Sequence, residues 1–343
     1  MRKGLILILV VLGTVMFVAG NSSLCLAKVS VEILQDIYVL PVAELATTKT
    51  HPEVIRIEND FVEMTLIPNR GRVLSSYVLK GKEPVSVIYQ NLVPGPMVLP
   101  GGLHVVEFGG YYLSLPWNDR DRQPFDLSFA LTREEESLVE VFLSGKDMFK
   151  KTLTECWVRV RDDSPVVEVE VKITNLSKRE ARSFPFKDFV VLDVRRNCYL
   201  SLPVKSAKLV ASRGDWAGQP GQVLGWPAMF ASWDNMKDYL HFETEDSLLL
   251  PCVAFVYPDE RVAFVKWWEP AEFFPALSAW SWGQSWAVEP GAGAYIVVSG
   301  LRDNFHLEPQ EQVSFKVYFV AFEGVSQDVS CQELFDQARS LLR

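Results

Sequence analysis

Eight of the ten tryptophans in this 343-residue chain lie between Trp216 and Trp286: Trp216, Trp226, Trp233, Trp267, Trp268, Trp280, Trp282 and Trp286. An indole covers an apolar ring face while its N–H reaches a hydroxyl, so such a density suits a site for a hydroxylated ring such as a pyranose. The same residues equally suit core packing. Trp267 and Trp268 are neighbours, so in a strand they point to opposite sides, whereas Trp280 and Trp282 share a side. Residues 101–119 gather His104, Tyr111, Tyr112, Pro116, Trp117 and Asp119 around two glycine pairs, Gly101-Gly102 and Gly109-Gly110. Glycines permit close backbone approach, and the polar residues among them can bond hydroxyls. Of the four histidines, His104 has the setting best suited to acid–base chemistry; His51, His241 and His306 read as surface loops or strand ends. Arg72, Lys187 and Asp188 lie at turns or strand entries, where a guanidinium fork can clamp a hydroxyl or uronate carboxylate, or simply hold a turn. Glu269 and Glu272, with Pro270 and Pro275, can act as acid and base, hold calcium, or form a solvated loop.

The elements that must position these residues are strands. In residues 166–174, Val167, Val169, Val171 and Ile173 alternate with Glu168, Glu170, Lys172 and Thr174, the period of a half-buried strand. Similar alternation recurs at 62–67, 138–143, 261–267 and 312–321, with turn signals at 68–71, 162–165 and 257–260. The intervening segments lack the helical periods that parallel crossovers require, which predicts an antiparallel all-β architecture. One helix is expected, at the C-terminal end, where Ser330 and Glu333 form a capping box ahead of a stripe of Leu334, Phe335, Ala338, Leu341 and Leu342. That stripe predicts packing on a sheet. Residues 213–227, rich in Gly, Pro and Trp without a period, read as a long ordered loop.

Residues 1–27 have the order of a secretory leader: Arg2 and Lys3, an apolar run over 5–18, then small residues up to Cys25 and Ala27, with cleavage expected after Ala27. The apolar run is shorter than the roughly 20 residues of a membrane span, so no membrane association is expected after cleavage. Residues 28–343 then form a single domain in the periplasm or outside the cell. The formal charge of −9 becomes −11 without Arg2 and Lys3, which disfavours nucleic acid as a partner. Four cysteines remain (Cys156, Cys198, Cys252, Cys331), without the paired spacing of common zinc sites, and disulfides are permitted but not signalled. With no nucleophile elbow, phosphate loop or nucleotide signature, neither cofactor nor metal is expected.

Four segments in order carry a resemblance. They are residues 57–68 (IENDFVEMTLIP) followed by Gly71-Arg72-Val73; Ile173-Thr174-Asn175-Leu176 with a strand at 184–194; Gly225-Trp226-Pro227; and Trp280-Ser281-Trp282-Gly283 leading to Ala294-Tyr295-Ile296 and Leu307-Glu308-Pro309. Over residues 50–325 this set resembles the galactose mutarotase-like (aldose 1-epimerase-like) superfamily, in particular a bacterial branch found alone or ahead of tetratricopeptide repeats. The resemblance implies a large antiparallel β super-sandwich and a mono- or oligosaccharide ligand. It does not bring the epimerase acid–base pair. Where those enzymes place a histidine after the asparagine-ended strand, this chain has Phe184-Pro185-Phe186-Lys187-Asp188; where they place a glutamate on a late strand, it has Tyr295-Ile296-Val297-Val298-Ser299.

The expectation is therefore an exported carbohydrate-binding protein without standard epimerase catalysis. The sugar-binding candidates are Arg72, His104, Tyr112, Asp119, Lys187, Asp188, Trp226, Glu269, Trp280 and Trp282. An enzyme (epimerase, lyase or hydrolase) using a different acid–base pair is the alternative, and a structural envelope protein that has lost its ligand is a third.

Overall fold

A strand with apolar side chains at every second position must bury one face, and two such sheets satisfy each other by packing face to face. The computed structural model describes residues 28–34, 53–89, 96–99, 103–106, 109–115, 117–118, 123–124, 127–193, 197–212, 219–225, 240–245, 247–282, 295–326 and 329–342. The leader assigned to residues 1–27 lies outside them.

The first ten strands are β1 (Ser30–Leu34), β2 (Val54–Glu58), β3 (Val62–Ile67), β4 (Arg72–Leu79), β5 (Val85–Ser86), β6 (Pro96–Leu99), β7 (Leu103–Val106), β8 (Tyr111–Leu113), β9 (Trp117–Asn118) and β10 (Gln123–Pro124). Next come β11 (Ser128–Glu135), β12 (Leu138–Asp147), β13 (Thr152–Arg161), β14 (Val167–Asn175), β15 (Arg182–Asp193), β16 (Tyr199–Ser201), β17 (Ser206–Ser212) and β18 (Val223–Gly225). The last are β19 (Leu240–Thr244), β20 (Cys252–Tyr257), β21 (Val262–Glu269), β22 (Ala276–Trp282), β23 (Tyr295–Leu307) and β24 (Gln312–Glu323), followed by the helix α1 (Cys331–Ser340).

The large sheet has twelve strands, ordered β1-β2-β3-β4-β8-β15-β23-β22-β19-β17-β18 with β5 beside β4; the small sheet has eight, ordered β11-β12-β13-β14-β24-β21-β20-β16. Every pairing between these strands is antiparallel. The fold is thus the expected all-β antiparallel super-sandwich. Its core joins Val167, Val169, Val171 and Ile173 of the small sheet to Phe186, Val190, Leu192, Ile296 and Val298 of the large one. The alternating segments read from the sequence all form strands, and 138–143 extends to Asp147. Within 213–227, residues Val223–Gly225 form the edge strand β18 rather than loop; three residues at an edge are too few to show a period.

Across the interior, Tyr77 donates its hydroxyl proton to Pro165 O at 2.7 Å and accepts from Ala321 N at 3.0 Å. Tyr257 donates to Asp193 O at 2.9 Å. The outer face of the small sheet is polar over β12–β14, where Arg159 bonds Glu140, Glu168 and Glu170 at 2.6–2.8 Å. Over β20, β21 and β24 it is apolar and covered by α1 through Leu334, Phe335 and Ala338. The capping box is formed as the sequence predicts: Ser330 Oγ accepts from Glu333 N, and Glu333 accepts from Ser330 N at 2.9 Å.

Candidate functional site

Side chains on the central strands of the large sheet that do not enter the sandwich emerge on its opposite face. In β15 these are Lys187, Phe189, Val191 and Asp193, alternating with the inward Phe186, Asp188, Val190 and Leu192. Register then fixes their neighbours. Phe189 lies opposite Tyr112 of β8 on one side and Ser299 of β23 on the other, and Ser299 lies opposite Ser278 of β22, itself opposite Glu243 of β19. One rung along, Val191, Val297, Trp280 and His241 form a second row. Asp193 and Tyr295 begin a third.

The result is an aromatic surface. Tyr112 and Phe189 stack with centres 4.8 Å apart; Trp280 meets Phe189 edge-on at 5.8 Å and His241 edge-on at 5.9 Å; Tyr89 stacks on Tyr295 at 5.2 Å. Arg72 places its guanidinium carbon 4.1 Å from the centre of the Tyr112 ring. Phe189, Trp280, His241 and Lys187 are half-buried, so this apolar cluster is only partly covered. The hydroxyls of Ser278 and Ser299 are buried on the same face and find no hydrogen-bond partner among the described residues.

Glycine makes room for one edge of this surface. Gly109 and Gly110 have φ of +75° and +85°, and an added Cβ would lie 1.9 Å from Tyr89 O at Gly109 and 2.6 Å from Leu74 O at Gly110. Gly110 also accepts from Val191 N and donates to Tyr89 O. The pair therefore threads the chain between Tyr89, β4 and β15, which seats Tyr112 beside Phe189.

Electrostatically the face is mixed. His241 Nε2 lies 3.6 Å from Glu243 Oε1. Burial pushes the imidazole below its ordinary value of 6.5; Glu243 opposes that shift and Lys187 adds to it, so the ring is neutral at pH 7. Among the described residues no group of three or more His, Cys, Asp or Glu could hold a metal ion.

Of the sequence candidates, Arg72, Tyr112, Lys187 and Trp280 come together here. Asp188 does not: it points into the sandwich, fully buried, with both carboxylate oxygens 2.7 Å from Lys266 Nζ. It also accepts from Gly300 N at 2.8 Å and Tyr111 Oη at 3.3 Å. Strand alternation puts neighbouring Lys187 and Asp188 on opposite faces, and only one can reach the outer site. Glu269 is also elsewhere, exposed at the end of β21 and accepting from Tyr318 Oη at 3.3 Å on the outer side of the small sheet. Trp267 and Trp268 do face opposite ways, and both are core: Trp267 stacks on Tyr318 under α1, and Trp268 lies between the sheets. Trp282 pairs with Tyr295 and His104 with Val98 along the backbone, but their side chains, like Asp119 and Trp226 entirely, lie outside the described residues.

His241 is the residue the sequence reading passed over. It is the second residue of β19, a strand end as expected, but pairing sets it directly opposite Trp280 on the aromatic face. Phe189, Tyr89, Tyr295, Ser278 and Ser299 were also missed: the resemblance implied a strand at 184–194, but not which strands lie beside it.

No family model matches the sequence, and no curated protein matches it. Solved structures do. A TPR-domain containing protein from Parabacteroides distasonis superposes with a TM-score of 0.67 and 14% identity over 87% of this chain, which spans 56% of that protein's length. Slr1438 from Synechocystis gives 0.56 and 13% over 83% of this chain and 100% of that one. A galactose mutarotase-like protein from Lactobacillus casei gives 0.50 and 13% over 78% and 100%. With two packed antiparallel sheets in this order and these neighbours, the chain has the galactose mutarotase-like fold.

Proposed function

We propose that this chain is an exported carbohydrate-binding protein that lacks the standard aldose epimerase acid–base pair. The carrying observation is the continuous run of rings Tyr112, Phe189, Trp280 and His241 on the outer face of the large sheet, with Arg72 over Tyr112. Half-buried aromatic rings beside donors from Lys187 and serine hydroxyls suit a ligand with an apolar C–H face and an edge of hydroxyls. The position that would carry a catalytic glutamate by resemblance lies in β23, where the outward residue beside Phe189 is Ser299.

Titration of tryptophan fluorescence with mono- and oligosaccharides tests the reading. A saturable change is expected, and Trp280→Ala should weaken it by about tenfold or more, as truncation of an aromatic anchor does. A broad sugar panel without response at millimolar concentration would sink it.

One observation favours the enzymatic alternative: His241 and Glu243 lie side by side on this face, and His241 is held in the neutral form a general base needs. Polarimetry on freshly dissolved aldoses separates the two. Mutarotation above the spontaneous rate that disappears in His241→Ala supports an enzyme; no acceleration leaves binding.

A further inference from the structure

Cys252 opens β20 and Cys331 is the first residue of α1, 79 positions later, yet their sulfurs lie 3.7 Å apart. Packing holds them there. The first turn of α1 is fixed by the Ser330–Glu333 capping box, and its apolar stripe lies on Cys252, Ala254, Val265 and Trp267 of the outer sheet face. Cys252 is fully buried, whereas Cys331 is partly exposed. The other two described cysteines, Cys156 and Cys198, lie in the core between the sheets. Position also favours attack through Cys331: backbone N–H groups at a helix N-terminus stabilise a thiolate. The hydrogen bond between the thiols acts the same way, drawing Cys331 below and Cys252 above the ordinary thiol range.

We propose that Cys252 and Cys331 form a disulfide that staples α1 to the eight-stranded sheet. To bond, the sulfurs must close from 3.7 Å to about 2.05 Å. The oxidant is a disulfide compound such as oxidised glutathione. The Cys331 thiolate attacks one of its sulfurs, breaking that S–S bond and releasing one glutathione thiolate, which takes up a proton. Cys252 then loses its proton and attacks the Cys331 sulfur of the mixed disulfide, releasing the second glutathione. Two protein thiols are oxidised and one glutathione disulfide is reduced.

The test equilibrates the folded full chain with oxidised glutathione, blocks free thiols by alkylation, then denatures, alkylates with a second mass tag and digests. A linked peptide pair containing Cys252 and Cys331, two hydrogens lighter than the separate peptides, is expected, with Cys156 and Cys198 carrying the second tag. The linked protein should melt roughly 5–10 °C above its reduced form, because a long loop of the unfolded chain is closed. That difference should vanish in Cys331→Ser and persist in Cys156→Ser. Both Cys252 and Cys331 recovered as alkylated free thiols after oxidation, or a link from either to another cysteine, would overturn the proposal; because the mapping uses the unsubstituted chain, it does not depend on a variant folding.

Discussion

Arg72 is almost fully buried with its guanidinium carbon 4.1 Å from the Tyr112 ring centre, a cation–π contact worth about 1 kcal/mol when partly desolvated. Lysine keeps the charge but loses the planar, weakly hydrated fork. Arg72→Lys should therefore lower stability by about 1 kcal/mol in urea unfolding and weaken any sugar response at Tyr112. His241 brings pH dependence to the same face. Its folded-state pKa lies below 6.5, so as the pH is lowered through about 6.5 the unfolded imidazole binds a proton that the folded one resists. Stability from this group is present above that pH and falls as acid is added. The thermal midpoint should drop accordingly, and His241→Gln should flatten the slope.

At the scale of elements, α1 depends on both its cap and its stripe. Ser330→Ala removes the acceptor for Glu333 N and should cost about 1 kcal/mol in denaturant unfolding. The meeting of β4, β8 and β15 depends on Gly110, whose φ of +85° and closeness to Leu74 O leave no space for a methyl group. Gly110→Ala should destabilise by several kcal/mol and shift the near-ultraviolet circular dichroism of the Tyr112–Phe189 region. Trp280 shows how an element serves the site: β22 gives it an outward direction, but β15 and β19 supply the Phe189 and His241 it touches.

Across the described residues, the two sheets are joined by apolar packing and by a fully buried ion pair, Lys266 of β21 with Asp188 of β15. Burial lowers the Lys266 pKa, and Asp188 partly restores it. Such a pair contributes little net stability against an apolar replacement, but breaking it strands a charge. Lys266→Met should cost about 3–5 kcal/mol at neutral pH. Lys266→Met with Asp188→Asn should recover part of that loss, because the amide is neutral and still accepts from Gly300 N. Urea unfolding of both variants measures the difference.

The sequence by itself determined what depends on local period and local hydrogen bonding. The alternation of Val167, Val169, Val171 and Ile173 declared a strand, and Ser330 with Glu333 declared the start of α1. A strand at 184–194 puts Lys187 and Asp188 on opposite faces, although both stood among the sugar-binding candidates. Which of the two reaches the outer surface was decided only by tertiary structure, as were the use of Trp267 and Trp268 as core, the approach of Cys252 to Cys331, and the placing of His241 beside Trp280. The reason is physical: a strand's own residues state its period, but its neighbours are chosen by pairing between segments far apart in the chain, as when β15 is flanked by β8 and β23.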